Sequence, residues 1–317
     1  MRNKTNPDGI SGWLAGGLTA PIAYLAGHDP WLVVLLIGAA CFGFSKLVSV
    51  LWNRQERNVK WLWLLQAVWA GVLVGQFARW SGQCWPTGDA FPLVPLALLI
   101  LSVFAGWDGV ERASQIGRVM VWFLIALFAV VFGSGLGNLK LEFITPQFRL
   151  PTGELVAVLL LPATAAFLPG SGRCSLTKLG VVLAFAVVAC VGTIGTLSQG
   201  VADETAFAFY EFSKSLSLFG VVERFEAFVS VAVTLGFFSI LSYLVSLIGV
   251  LTEKSFPGKQ RYGVVGGAVF GGAVALFIPQ IPACGMLLVS LSLWVIMPLL
   301  ACAMSSIKKV KKYEKNT

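Results

Sequence analysis

The charged residues of this chain fall in short islands. Between the islands run ten apolar stretches, most of them long enough to cross about 30 Å of hydrocarbon. They are Ile10–Ala26, Trp31–Trp52, Val59–Ala78, Phe91–Trp107, Ile116–Leu136, Gly153–Pro169, Leu179–Ser198, Val222–Leu251, Gly263–Pro279 and Cys284–Ser306. A backbone in hydrocarbon must satisfy its own hydrogen bonds, so each stretch reads as a helix. The expected fold class is all-α integral membrane, with about ten transmembrane helices. Phe91–Trp107 and Gly153–Pro169 are at the short end of what can cross, whereas Val222–Leu251 has length to spare for tilt or an extra turn. Composition agrees: 57% of the residues are apolar and only 12% charged, about half the usual charge of a soluble domain. Disorder, a disulfide-rich secreted scaffold and a nucleic-acid-binding domain are excluded on that ground.

Orientation follows from Lys and Arg, which cytoplasmic loops retain. With the amino terminus inside, 18 of the 23 basic residues fall on the inner side, leaving Arg79, Lys140, Arg149, Lys214 and Arg224 outside. The expectation is a multi-pass protein of the cell membrane with both termini cytoplasmic. The net charge of +8 then reflects topology, not a nucleic-acid footprint. Lys308, Lys309, Lys311 and Lys312 orient the carboxyl-terminal tail and are also placed to touch anionic headgroups of membrane lipid. Ile10–Ala26 reads as a span and not a cleaved leader, because Leu25-Ala26-Gly27-His28 is a poor cleavage site.

Catalytic patterns are missing. One histidine, His28, excludes a zinc-binding His pair, and no phosphate-binding loop is present. The glycine-rich run Gly133–Gly137 ends a span and reads as a flexible exit. The six cysteines have no metal-ligand spacing, and whether Cys84 and Cys284 pair is undecided. The reading is no enzyme, no cofactor and no metal. All 15 acids lie in loops or near span ends, Glu154, Glu223 and Glu226 among them. A pump built on a carboxylate at mid-depth is disfavoured, and recognition falls to backbone groups, hydroxyls and helix dipoles.

Backbone is free inside a membrane only where a helix breaks beside protein or a cavity. A pair of interrupted spans in matching positions of two halves marks such a site. Here the ten spans divide into a first five-helix repeat, 10–136, and a second, 153–306, followed by a basic tail, 307–317. Five is odd, so the second half enters from the opposite side, as an inverted repeat. The first span of each half carries breakers: Gly16, Gly17, Leu18, Thr19, Ala20 and Pro21 in one, Pro162, Ala163 and Thr164 in the other. Broken there, the two helices offer amino-terminal N–H groups to a carboxylate and freed carbonyls to an ammonium, which suits an amino acid. The alternative is that Gly and Pro only kink the helices or let neighbours approach, and Pro92 and Pro95 show that proline alone identifies no site. Gly263, Gly267 and Gly271, four residues apart, read as a packing face. Ser239 and Ser242, with Ser246, form a possible cation site or are satisfied by their own helix. Asp203–Lys214 is amphipathic, either a lid or an interfacial helix.

Specific residues also resemble a known family. Pro21, Ala26-Gly27 and Asp29-x-Trp31 resemble the first outer turn of the endospore germination permeases, the membrane B subunits of spore germinant receptors. Glu223-Arg224-Phe225-Glu226-Ala227-Phe228 is similar to the opening of that family's eighth helix. Gly109-Val110-Glu111 with Ala113 resembles its loop between helices four and five, and Leu139–Pro146 the stretch before helix six. The resemblance implies the amino acid–polyamine–organocation superfamily and a leucine-transporter-like core of two inverted five-helix repeats with helices 1 and 6 broken. It implies sensing of a small-molecule ligand, an amino acid, held against Gly16–Pro21 and Pro162–Thr164. It also implies assembly with A-type and C-type germinant receptor subunits in the inner membrane of the spore. The alternative function is an amino-acid secondary transporter of the same superfamily.

Overall fold

In the computed structural model, residues 7–27, 29–53, 59–83, 93–144, 148–168, 176–205, 208–216 and 226–314 are described. They form ten helical rods and no strand among the described residues. The first five are α1 (Pro7–Ala26), α2 (Trp31–Asn53), α3 (Lys60–Gln83), α4 (Leu93–Trp107) and α5 (Val110–Gly135). The sixth, called helix six below, is α6 (Gly153–Leu159) continued by a 3-10 stretch, Leu161–Phe167. Next come α7 (Leu176–Leu197) and two short helices, α8 (Gln199–Glu204) and α9 (Ala208–Lys214). The last rods are α10 (Glu226–Ser255), α11 (Gln260–Phe277), and α12 (Ala283–Leu291) joined through a π-turn, Ser292–Ile296, to α13 (Met297–Glu314). The basic tail expected from 307 onward is therefore helical to Glu314.

Five segments are long and apolar enough to cross a membrane: Trp31–Asn53, Lys60–Gln83, Thr177–Leu197, Val229–Ser255 and Ala283–Ser306. Leu93–Trp107, Trp122–Gly135 and Gly153–Phe167 are shorter apolar helices. Their outward faces are apolar, with Phe104 74%, Trp122 71% and Phe277 82% exposed, as lipid-facing surfaces require. α10 lies innermost: 78% of its apolar window is buried, against 39% for α2.

The expected glycine packing face is present and reaches further than the sequence suggested. A Cβ on Gly263 would lie 2.5 Å from Thr252 Oγ1 of α10, and one on Gly271 2.4 Å from Val74 Cγ1 of α3. Gly75 answers from α3, where a Cβ would meet Val274 at 2.4 Å. Between α4 and α5 the chain turns through Asp108 and Gly109, whose φ of +97° explains the glycine there.

Asp203–Lys214 is not one amphipathic helix. It divides between α8 and α9, and α9 is no surface helix, because Ala208, Phe209 and Phe212 are almost fully buried. Phe209 and Phe212 join Phe128, Phe132 and Phe185 of α5 and α7 in one aromatic cluster. Cys284 is an exposed free thiol; Cys84, Cys174, His28 and Glu223 lie outside the described residues.

Candidate functional site

The two spans expected to break behave differently. Helix six is interrupted. Pro162 has no N–H to give to the Val158 carbonyl one turn back, and its ring crowds that carbonyl, so α-winding stops at Leu159. The chain continues with 3-10 bonds, Ala163 N–H to the Leu160 carbonyl (3.0 Å) and Leu168 N–H to the Ala165 carbonyl (3.2 Å). The first span is not interrupted: Pro7–Ala26 is a single helix with Pro21 inside it. Its surroundings account for the difference. α1 lies against α10, α5 and α7, and Leu14, Leu18, Ala20, Ile22 and Ala23 are wholly buried. An unwound backbone packed among those apolar side chains would leave its polar groups unpaired. The Thr19 hydroxyl further supports the Gly16 carbonyl at 2.6 Å.

Gly16–Pro21 thus serves as a contact surface. A Cβ on Gly17 would lie 3.0 Å from the Ile240 backbone of α10, and one on Gly236 of α10 would lie 2.5 Å from Ala20 Cβ. The two segments expected to hold a ligand meet one turn deeper, through Thr164 and through Tyr243 and Trp13, which the sequence reading passed over. Thr164 of helix six, fully buried, shares a hydrogen bond of 2.7 Å with the Tyr243 hydroxyl of α10. Trp13 of α1 packs edge-on against Tyr243, ring centres 5.1 Å apart. Thr164 also donates to the Leu161 carbonyl at 2.6 Å. Pro162 and Ala163 are buried beside it.

The serines of α10 divide. Ser242 donates to the Phe238 carbonyl at 2.7 Å and lies 3.4 Å from Ser102 of α4, so it faces α4 and is satisfied by its own helix. Ser239 and Ser246 carry buried hydroxyls with no hydrogen-bond partner among the described residues. Among the described residues no group of three or more His, Cys, Asp or Glu is placed to hold a metal.

α3 supplies polar groups that the sequence reading missed. Gln66, Trp69, Leu73, Gln76 and Trp80 recur at helical spacing on its buried side. Gln66 Nε2 donates to the Leu293 carbonyl in the π-turn (3.0 Å), and Trp69 Nε1 to Ser290 Oγ (3.1 Å). Gln76, fully buried, has neither heteroatom bonded among the described residues. Lone glutamines within an apolar span were the available signal.

Both ends of helix six are held by ionisable side chains. At its start, the Thr152 N–H donates to Asp29 Oδ1 (2.9 Å) and the Thr152 hydroxyl to Asp29 Oδ2 (3.1 Å). Asp29 lies in the α1–α2 turn yet is only 3% exposed, a burial no loop position announces. At the other end, Lys254 of α10 donates to the Phe167 carbonyl, with its ammonium 5.6 Å from the centre of the Trp63 ring. Trp52 and Trp294 flank Phe167 at 5.2 and 6.2 Å. On that same end, but apart from helix six, a cleft of about 780 Å³ is lined by Trp107, Glu253, Gln260, Arg261, Tyr262 and Val265, and none of the expected site residues border it. The carboxylate of Glu253 accepts the N–H groups of Gly258 and Gln260 and so shapes the α10–α11 turn.

No protein-family model matches the chain, and no curated protein matches it. Among solved structures it is similar to Mhp1, a nucleobase-cation-symport-1 family transporter, in a closed conformation with bromovinylhydantoin bound. The likeness has a TM-score of 0.60 at 14% identity and covers 90% of this chain and 75% of that one. It shows the fold: the chain shares the all-helical membrane architecture of that protein, in keeping with the all-α integral membrane class expected from the sequence.

Proposed function

We propose that the chain binds a small solute of the amino-acid class in the core where α10 meets α1, helix six and α3. The observation that carries this reading is the interruption of helix six at Pro162, with Thr164 just beyond it in hydrogen-bond contact with α10. A buried amide with both heteroatoms unbonded costs several kcal/mol on the scale of polar-group burial, about 1–3 kcal/mol for each group. Gln76 therefore fits a ligand that both donates and accepts, and Ser239 a second contact. The solute-binding body is formed by the repeats 10–136 and 153–306, with both termini cytoplasmic as the basic residues indicate. Counterflow of radiolabelled amino acids in proteoliposomes tests the reading: exchange that is lost in Gln76→Leu supports it, and no binding or exchange of any amino acid overturns it.

The finer role we infer is that of a germinant-receptor B-type subunit, sensing its ligand together with A-type and C-type subunits in the spore inner membrane. The residues around Pro21–Trp31, Gly109–Glu111 and Glu223–Phe228 support it. Copurification from spores checks it directly. A-type and C-type subunits in the eluate favour the receptor, whereas an isolated chain that exchanges amino acids favours a secondary transporter.

A further inference from the structure

The Asp29 carboxylate clasps helix six from a turn, outside the spans, and is nearly closed off from solvent. Three titratable groups act on it or face it: Arg149 from the segment before α6, Asp203 from α8 and Cys190 from α7. Arg149 is paired with Asp203 at 2.9 Å and its side chain is 65% exposed, so solvent screens much of its charge. Burial is the largest influence on Asp29. It lifts the carboxyl from 3.8 to about 6, against the hydrogen bonds from Thr152 and the charge of Arg149.

The direction of the linkage matters. A conformation that holds a proton more tightly than an open, hydrated one is stabilised by that proton. The clasped state therefore gains as pH falls from about 6 towards 3.8, has its full gain below 3.8, and loses it as pH rises through 6. The swing in the ratio of clasped to open forms is about a hundredfold. Protonation also keeps both hydrogen bonds. The carbonyl oxygen still accepts the Thr152 N–H, and the new O–H donates to the Thr152 hydroxyl, which can accept as well as donate.

We propose that Asp29 is a proton-binding site that locks the start of helix six when occupied and releases it on ionisation. The proton enters from and returns to the aqueous phase at the Asp29 end, so it gates this end and drives nothing across the membrane. By the distribution of basic residues that end faces outward, and acidity outside closes it. That the clasp governs a solute's route rests on the reading of helix six given above; the clasp itself needs no solute.

The test is hydrogen–deuterium exchange on the full chain in lipid nanodiscs from about pH 4 to 8, corrected for chemical exchange, followed on peptides covering 153–160. Wild-type protection is expected to fall by up to about a hundredfold as pH rises. Asp29→Asn, uncharged and able to make both bonds to Thr152, is expected to stay protected at every pH and to exceed wild type at pH 8. Asp29→Ala is expected to be unprotected throughout. Flat wild-type protection, or an Asn variant less protected than wild type at pH 8, overturns the proposal. A second measurement uses wild type alone: infrared titration of the chain labelled with 13C-aspartate. One aspartic acid carbonyl band with a midpoint near pH 6 supports the proposal, and all five aspartates titrating near their ordinary value overturns it. Neither readout uses a solute, so failure to find a ligand leaves the clasp standing, and loss of the pH response leaves the solute-binding reading standing.

Discussion

α1 and helix six each contain a proline that an isolated helix would resist, and only helix six yields. Pro21 sits in a rod enclosed by α5, α7 and α10, with Ala20, Ile22 and Ala23 around it wholly buried. Pro162 sits where α-winding has run for only seven residues, and the turn beyond it is stabilised by Thr164, Tyr243 and, farther on, Lys254. A breaker marks where a helix is weakest; its surroundings decide whether the helix opens there.

The contrast is open to direct attack. The largest effect is expected from Gly17→Leu, whose side chain must enter space within 3.0 Å of the Ile240 backbone. Overpacking against backbone is expected to cost about 3 kcal/mol or more, seen as loss of monodisperse protein on size exclusion. Next, Pro21→Ala is expected to restore a missing bond in a continuous helix and to stabilise the fold by roughly 2 kcal/mol. Pro162→Ala removes a residue suited to its turn and is expected to change stability by less than about 1 kcal/mol. Thermal unfolding of both in one detergent makes the comparison, and equal gains would erase the distinction between the two helices. Gln76→Leu is expected to stabilise the chain by about 2 kcal/mol or more, because an unbonded buried amide is removed, while abolishing solute exchange. Lower stability in that variant would show that the amide is satisfied. Smallest, Thr164→Val is expected to cost about 1 kcal/mol by removing the bond to Tyr243, measured as a lowered midpoint of thermal unfolding.

Much of the architecture was legible because the bilayer simplifies the problem. Charge islands located the rods, with the largest misses at the start of α5 and the end of α13, where charged residues continue the helix. Gly263, Gly267 and Gly271 announced a close helix contact by their spacing alone. Pro162 was legible too, since it falls in the middle of a short span. What escaped was set by tertiary packing. Asp29 looked like an ordinary loop acid, and nothing local says that Thr152, more than a hundred residues later, will close over it. Lys254 looked like one of several cytoplasmic cations until the Phe167 carbonyl and the Trp63 ring met it. Ser242 follows the second of its two readings, bonded to its own helix, but that it faces α4 was not legible, because periodicity locates a face and does not say which helix covers it. The interruption expected at Gly16–Pro21 failed for a related reason: composition cannot tell a glycine that unwinds a helix from one that lets another helix touch it.

The seam of small residues joining α3, α10 and α11 has a mechanical consequence. Where Val74, Val274, Ile248 and Thr252 press directly on bare glycine backbone, sliding or tilting has no slack to absorb it. Those three rods must travel as one solid piece, so probes attached to α3 and α11 should keep a constant separation through any working cycle, while distances from either of them to helix six change.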